Sequence, residues 1–499
     1  MTTSSKFRAS VALAVGAGLA LRLYLIHRFP MNAAGDSEIY LELARNWLDH
    51  GVYGMLVNGH LTPVDLRSPG YPAFLAAVYA TVGRSRYVVL LAQALVDLAT
   101  CGVVAMLAGR VASAGTKQRA ALAGLWLAAL CPFVANYTTG ILAEVLATFF
   151  TALALAVFAG GLSEDGVPGG RRFGTLLQSS WFLGGLVVGF GALVRPEAPL
   201  LLVATGLVLL VRWRRRADWM KLIRAGALMF VGMILPLLPW AARNWRVLGD
   251  VQFLAPRYSQ LPGELVPKGF YSWTNTWMWR FRDVYLVPWK LEDEEIRIED
   301  LPAYAFDSEE ERQRISDVLD EYNESLTISA DEDREFGEIA RERTARHPLR
   351  TYFTVPLKRA FTLWFTPRIE LLPFSGQLWP IRAAWEEDPV DFSVTVGFGA
   401  LGILLAAMAI WGAWLTRGSP VTALLVAYCV VRTLYLLHVE TPEPRYVIEC
   451  FPAVLALAAQ IFVGRWKRTA MGIQVGLTAV GPHKNAGKLP ALRRHDCFP

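Results

Sequence analysis

The chain has 499 residues, 54% of them hydrophobic and 18% charged, with 17 Trp and a formal net charge of +6; its mean hydropathy is +0.33. That composition excludes a soluble globule and makes membrane lipid, not nucleic acid, the expected surroundings. Cys101, Cys131, Cys429 and Cys450 fall in apolar runs and Cys497 near the end, with neither a disulfide framework nor a metal-ligand spacing.

In chain order, Lys6 and Arg8 precede a first apolar run, Val11 to Ile26, which lacks a small-residue cleavage site before Arg28 and reads as a retained span. The stretch "MNAAGDSEIYLELARNWLDHGVYG" (31–54) follows. In it Ile39, Tyr40, Leu43, Ala44, Trp47 and Leu48 recur at three- to four-residue spacing, predicting an amphipathic helix ended by Gly51. Asp36 at its start either caps the helix or belongs to a site, and Glu38 suits the positive end of the helix dipole in either case. "PGYPAFLAAVYATVG" (69–83) is interrupted by Pro69 and Pro72. About 11 helical residues remain, too few to cross the hydrocarbon at 1.5 Å per residue, so this helix is expected to lie on the surface or re-enter.

Ten spans are expected, at about 9–27, 87–108, 119–135, 140–161, 176–192, 196–211, 225–241, 392–415, 420–437 and 446–464. Basic residues collect in alternate loops: Lys6 and Arg8; Arg110, Lys117 and Arg119; Arg171 and Arg172; "RWRRRADWMKLIR" (212–224); Arg417; and the tail from Arg465. The positive-inside rule then puts both termini in the cytoplasm of a multi-pass inner (plasma) membrane protein. The expected organisation is a transmembrane module 1–243 with an outer loop 28–86, an extracytoplasmic domain 244–390, a second transmembrane module 391–464 and a basic tail 465–499. The outer domain opens with "FYSWTNTWMWRF" (270–281), whose Trp273, Trp277 and Trp279 read as a bilayer-edge belt or a sugar-stacking cluster. Leu291 to Glu342 holds about 20 acidic against 5 basic residues and reads as a solvated helical face. "HPLRTYFTVPLKRAFTLWFTP" alternates basic and aromatic residues like a helix lying in the membrane interface.

The positive-inside bias predicts few cations at the outer ends of spans, yet Arg22, Arg195, Arg243, Arg432 with His438, and Arg445 all stand there. Each alone can snorkel or pair structurally. Together with the carboxylates Asp36, Glu38, Glu144 and Glu440 they form a ring that suits a lipid-linked phosphate, because ionisable residues at membrane depth tend to mark a site and the guanidinium fork matches phosphate oxygens.

Six stretches in order carry a resemblance: "GDSEIYLELARNWLDHGVYG", "RSPGYPAFLA", "AEVLATFF", "ALVRPEAP", "PWAARNWRVLGD" and "EPRYVIECFPAVLALA". From about Arg8 to Gly464 the chain resembles the GT-C superfamily of polyprenyl-phosphate-sugar-dependent glycosyltransferases, in pattern the bacterial dolichyl-phosphate-mannose-protein-mannosyltransferase-like and aminoarabinose-transferase-like members. Where the family pairs two carboxylates as "DE", this chain has "DSE", so Asp36 and Glu38 both stay candidates. The resemblance implies an all-α polytopic GT-C bundle with interfacial helices and one large extracytoplasmic α-rich insertion. It implies transfer of a sugar from a polyprenyl-phosphate donor to an acceptor hydroxyl on a glycan, lipid or protein, at the extracytoplasmic face and with inversion. In that reading Asp36 is the base and Glu38 an acceptor or metal contact. Arg243 and Arg445, then Arg195 and Arg67, clamp the phosphate, and Glu144, His438 and Glu440 hold sugar or acceptor. A polyprenyl phosphate leaves readily once its charge is neutralised, so one base and well-placed cations suffice. No dedicated metal cage is evident, although a divalent ion such as magnesium or manganese beside Asp36 and Glu38 is compatible with the pair. The competing readings are a polyprenyl-lipid flippase or transporter, which would favour inverted repeats that are not evident here, and a non-catalytic assembly factor, which leaves the cations unexplained.

Overall fold

The structure is a computed structural model and describes residues 3–32, 35–163, 178–258 and 264–463. The basic pair Arg171 and Arg172 and the tail from Arg465 lie outside the described residues. Each of the ten expected spans has a helical counterpart. Six helices are long and apolar enough to cross a membrane: Ser5–Arg28, Arg86–Val111, Glu144–Ser163, Arg216–Leu248, Pro389–Leu415 and Pro444–Phe462. A seventh is a bent pair, Ala114–Ala129 and Pro132–Thr139, whose axes meet at 49° where Pro132 interrupts the hydrogen-bond ladder. Three shorter apolar helices, Ser180–Val194, Leu200–Arg212 and Pro420–Leu436, complete the ten.

Small residues set the closest packing. Ser180–Val194 lies against Trp219–Leu248, and a Cβ on Gly185 or Gly189 would collide with the carbonyls of Met229 and Met233. This four-residue glycine spacing lets two backbones meet where no difference in apolarity drives helices together. Among lipid-depth ion pairs, Arg22 and Asp97 are fully enclosed. The Arg22 Nε donates to Asp97 Oδ2 at 2.7 Å, Nη1 donates to the carbonyls of Gly18 and Ala129, and Nη2 to Cys101 Sγ. Arg22 therefore joins three helices of the bundle and stands apart from the ring of cations expected at its rim.

Two short elements follow the first span. Asp36–His50 is the expected amphipathic helix, and the αL residue Gly51 ends it. Its N-cap is Gly35, and Asp36 makes no capping bond. After it, Gly54–Val57 and His60–Pro63 pair as an antiparallel hairpin around Asn58-Gly59, both at positive φ; this is the only sheet among the described residues. Gly70–Thr81 is the short helix expected in this stretch, with Pro69 as its N-cap and Pro72 inside its first turn. It packs on the Asp36–His50 helix and approaches Ser180–Val194 so closely that a Cβ on Gly70 would sit 2.7 Å from the Leu193 carbonyl oxygen.

Between residues 264 and 365 a second hydrophobic cluster forms around Phe270, Trp273, Trp277, Ile315, Tyr322 and Phe336. Trp273 and Trp277 are 0% and 1% exposed, so they serve this core and neither a bilayer belt nor a sugar site. The acidic stretch folds as Glu309–Ser325 and Ala330–Arg346, with Ser308 and Ser329 as N-caps. Buried Arg343 pairs with Glu311 and Asp307 beneath it. The expected interfacial segment becomes a π-turn, Arg350–Thr354, and a helix, Val355–Phe365. Its Tyr352, Phe353, Leu357 and Phe361 side chains are exposed, an apolar stripe of the kind that lies in a bilayer interface. On the opposite face buried Arg359 donates to the carbonyls of Met278 and Val439.

Candidate active site

The helix ends meet at one end of the bundle, where the chain passes out of Thr3–Arg28, Ser180–Val194 and Trp219–Leu248 and into Glu144–Ser163 and the Pro444–Cys450 turn. Buried Arg368 fixes that turn by donating to the Pro444 carbonyl at 3.0 Å, which aims the next side chain, Arg445, across the bundle end.

Asp36 is the centre of the arrangement. Its Oδ1 accepts from Arg67 Nη2 at 2.8 Å and its Oδ2 from Arg445 Nη1 at 3.0 Å. Arg445 also lies 2.6 Å from Glu443 and 3.8 Å from Glu144. Glu144 is met at 2.5 Å by Arg195, whose other side faces Glu449 at 3.9 Å. Glu449 in turn accepts from Arg432 at 2.7 Å and from Thr151. Cations and carboxylates thus alternate in one connected network from Arg67 to Arg432. The aromatic ring of Tyr446 lies under both Arg195 and Arg445.

Burial by itself would raise the Asp36 carboxyl, but the guanidiniums of Arg445 and Arg67 outweigh it and hold the group well below the usual carboxylate range. Tyr40, one turn along the same helix, is pushed up to about 12 by its burial and then by the charge of Asp36. The network is not fully satisfied. Glu144 Oε2, Arg195 Nε, Glu197 Oε2, Arg432 Nη1, Glu443 Oε2 and Arg445 Nε are buried without an aligned hydrogen bond. Asp36, Arg67 and Arg445 nonetheless keep 20–25% of their side-chain surface open. A site with unused donors and a path to solvent can accept an anion.

The candidate residues from the sequence divide into four groups. Asp36, Arg67, Glu144, Arg195 and Arg445 come together. Glu38 is exposed and outside the network, because two residues along a helix are about 200° apart around the axis. Arg243 stands beside the hairpin, where it donates to the carbonyls of Tyr53 and Val64 and lies over the Trp240 ring. Glu440 accepts from Tyr258 and pairs with Arg257, and exposed His438 offers its carbonyl to the same arginine. Sequence reasoning missed Glu443, Glu449 and Glu197. The first two flank Arg445 in "EPRYVIEC", a spacing that places them on successive turns with it.

Next to the charges is an apolar cavity of about 380 Å³, lined by Trp47, Tyr53, Leu193, Pro236, Trp240 and Arg243 among others. Tyr53 connects the two, since its hydroxyl donates to the Arg67 carbonyl at 2.8 Å. The residues do not fit a divalent cation in this arrangement. Both oxygens of Asp36 already accept from arginines, and among the described residues no group of three or more His, Cys, Asp or Glu could hold a metal.

No protein-family model and no curated relative matches the chain by sequence. Among solved structures, the chain is similar to the oligosaccharyltransferase AglB of Archaeoglobus fulgidus, in complex with an inhibitory peptide and a dolichol-phosphate. Identity is 12% over 92% of this chain and 50% of that one, with a TM-score of 0.50. It also matches ArnT of Cupriavidus metallidurans bound to undecaprenyl phosphate, at 16% identity over 93% of this chain and 79% of that one, with a TM-score of 0.40. The chain spans about half the length of the AglB chain it matches. The fold is an all-α membrane bundle similar to that of AglB over the part it covers.

Proposed function

We propose that this GT-C chain is an integral-membrane glycosyltransferase that moves a sugar from a polyprenyl-phosphate donor to an acceptor hydroxyl at the extracytoplasmic face. The observation that carries the reading is a carboxylate, Asp36, shared between two arginines at the open end of the membrane bundle, beside an apolar cavity. AglB is solved with a dolichol-phosphate, a ligand of the same class. Both termini are cytoplasmic in this reading, on the strength of the basic loops.

The cavity takes the first isoprene units and the arginines take the phosphate. The acceptor O–H gives its proton to Asp36, the acceptor oxygen bonds the anomeric carbon from the opposite face, and the bond from that carbon to the phosphate oxygen breaks with inversion. The phosphate leaves with one additional negative charge, which Arg445 and Arg67 neutralise, with Arg195 behind them. Glu144 orients Arg195 and the sugar. Asp36 is a weak base while two guanidiniums hold it. A phosphate arriving between Arg445 and Arg67 competes for those donors and returns the carboxylate towards its ordinary basicity, so the base is strongest when the donor is bound. The segment 244–390 is the part we assign to acceptor selection.

The test is transfer from a panel of radiolabelled polyprenyl-phosphate sugars by protein in liposomes, with Asp36→Asn alongside. Label leaving the lipid with wild type and staying on it with Asp36→Asn is the expected result. Lipid that crosses the bilayer with its sugar intact in both proteins would make the chain a flippase instead.

A further inference from the structure

The helix Val355–Phe365 lies level with the end of a span. The Trp364 indole donates to Thr433 Oγ1 at 3.0 Å, near the end of the Pro420–Leu436 helix, and Arg359 Nη1 donates to the Val439 carbonyl just beyond it. On the same side Arg359 Nε reaches the Met278 carbonyl and the Thr362 hydroxyl reaches the Trp279 carbonyl, both at 2.7 Å. The opposite face is open: Leu357 and Phe361 are 65% and 64% exposed. At about 100° per residue, Leu357, Phe361 and Phe365 cover about 80° of the helix surface, and Lys358 stands about 20° beyond Phe365, at the border of the stripe.

The cations at that border are stacked on an aromatic ring. Lys358 Nζ lies 5.2 Å from the centroid of Trp279, and the Arg280 guanidinium lies 4.4 Å from the same centroid and 5.5 Å from that of Tyr304. A guanidinium lying on a ring keeps its edge donors free, and an ammonium keeps three. Lys358, Arg280 and the neighbouring Arg282 are exposed, and among the described residues none of them forms an ion pair. Asp283 is buried, and its oxygens accept from the Tyr304 hydroxyl and the Arg280 amide. The other nearby cations are taken: Lys290 by Asp300, Arg346 by Glu311 and Arg350 by Asp307. The exposed acids 292–295 belong to a turn tied to Tyr322, about 16 Å along the Glu309–Ser325 helix from Glu311. It is the Glu311 end that Arg343 links to Tyr304.

An apolar stripe with unpaired cations along its border matches an anionic phospholipid, with acyl chains beside Leu357 and Phe361 and a phosphate against Lys358 and Arg280. We propose that Lys358 and Arg280, held on Trp279, form a headgroup site for an anionic phospholipid of the leaflet in which Leu357 and Phe361 lie. The site is independent of the transferase reading. It sits on the helix that braces the Arg445 turn, since Arg368 donates to the carbonyls of Leu363 and Pro444 alike.

The experiment is native mass spectrometry of the full chain in detergent, titrated with phosphatidylglycerol or with phosphatidylcholine carrying the same acyl chains. Wild type should bind its first phosphatidylglycerol at least about ten-fold more tightly. Lys358→Ala and Arg280→Ala should each weaken that binding about five-fold, the worth of one cation near an anionic surface, and leave phosphatidylcholine unchanged. Lys358→Arg should keep the preference, and Arg334→Ala, at an exposed arginine already paired with Asp331, should bind as wild type does. Melting curves of each variant confirm that the exposed substitutions leave the fold intact. Equal binding of the two lipids, or unchanged phosphatidylglycerol binding by the Lys358→Ala, Arg280→Ala double variant, overturns the proposal. Displacement of the lipid by an equal concentration of glycerol 1-phosphate would make this a site for soluble phosphate and overturn it as well.

Discussion

Two arginine–carboxylate arrangements in the bundle use the same chemistry for opposite ends. Arg22 and Asp97 are fully enclosed, and every nitrogen of the guanidinium donates to a group in the bundle. Asp36, Arg67 and Arg445 are partly open, and their network retains buried donors and acceptors without aligned partners. A closed pair holds helices together, and even its unsatisfied Asp97 Oδ1 is out of reach of a ligand. An open, under-satisfied network can exchange one of its own ion pairs for a substrate's. The difference lies in accessibility, with the residue types unchanged.

The strongest way to break the contrast is at its centre. Asp36→Asn keeps the volume and removes the base, so transfer should fall by about 10²- to 10⁴-fold. Because the carboxylate is only partly exposed and neutralises two arginines, stability should fall by about 1–3 kcal/mol, short of the full cost of breaking an enclosed pair. Initial rates and melting curves on one preparation check both halves. The enclosed pair should behave the other way round. Arg22→Ala leaves Asp97 charged or protonated without its partner and should cost about 3–5 kcal/mol, while an Arg22→Met, Asp97→Leu double variant recovers most of it. At a temperature where the protein is folded, the donor KM should be unchanged.

A smaller effect separates charge from shape at the open site. Arg445→Lys keeps a cation and loses the planar fork that reaches Asp36, Glu443 and a phosphate oxygen together, and should lower turnover about ten-fold. The smallest effect is in pH. The folded Asp36 carboxyl titrates below its unfolded value, so its contribution to stability is present above the unfolded value of about 3.9 and disappears as pH falls through the folded one. The melting difference between wild type and Asp36→Asn should therefore be level from pH 7 to about pH 5 and shrink only below that. A difference that already shrinks at pH 6 would mean that the two arginines do not hold Asp36.

Much of this was written in local pattern. Apolar runs located all ten helical segments, Gly51 ended the amphipathic helix, and the prolines at 69 and 72 shortened the helix that follows. Asn58-Gly59 between extended residues signals a hairpin, and the helical reading of the region passed over it. The "DSE" triplet kept Glu38 a candidate beside Asp36 until the helix turned it about 200° away from the first. Asp97, alone in an apolar run, already required a buried partner, and that requirement would have drawn Arg22 inward from the rim. Trp273 and Trp277 read as interfacial because nothing nearby in sequence shows the core, built from residues up to 340, that covers them.

The sequence by itself determined a membrane bundle, its helices, and a surplus of arginine near their ends, because span length and periodicity are properties of contiguous residues. Which arginine meets which carboxylate was decided only by the tertiary structure. Asp36 and Arg445 are 409 positions apart, and Thr151 and Glu449 are 298 apart. Such pairs exist only once antiparallel helices have brought their ends to one side, and the energy that selects them is a short-range contact between side chains that no local window contains.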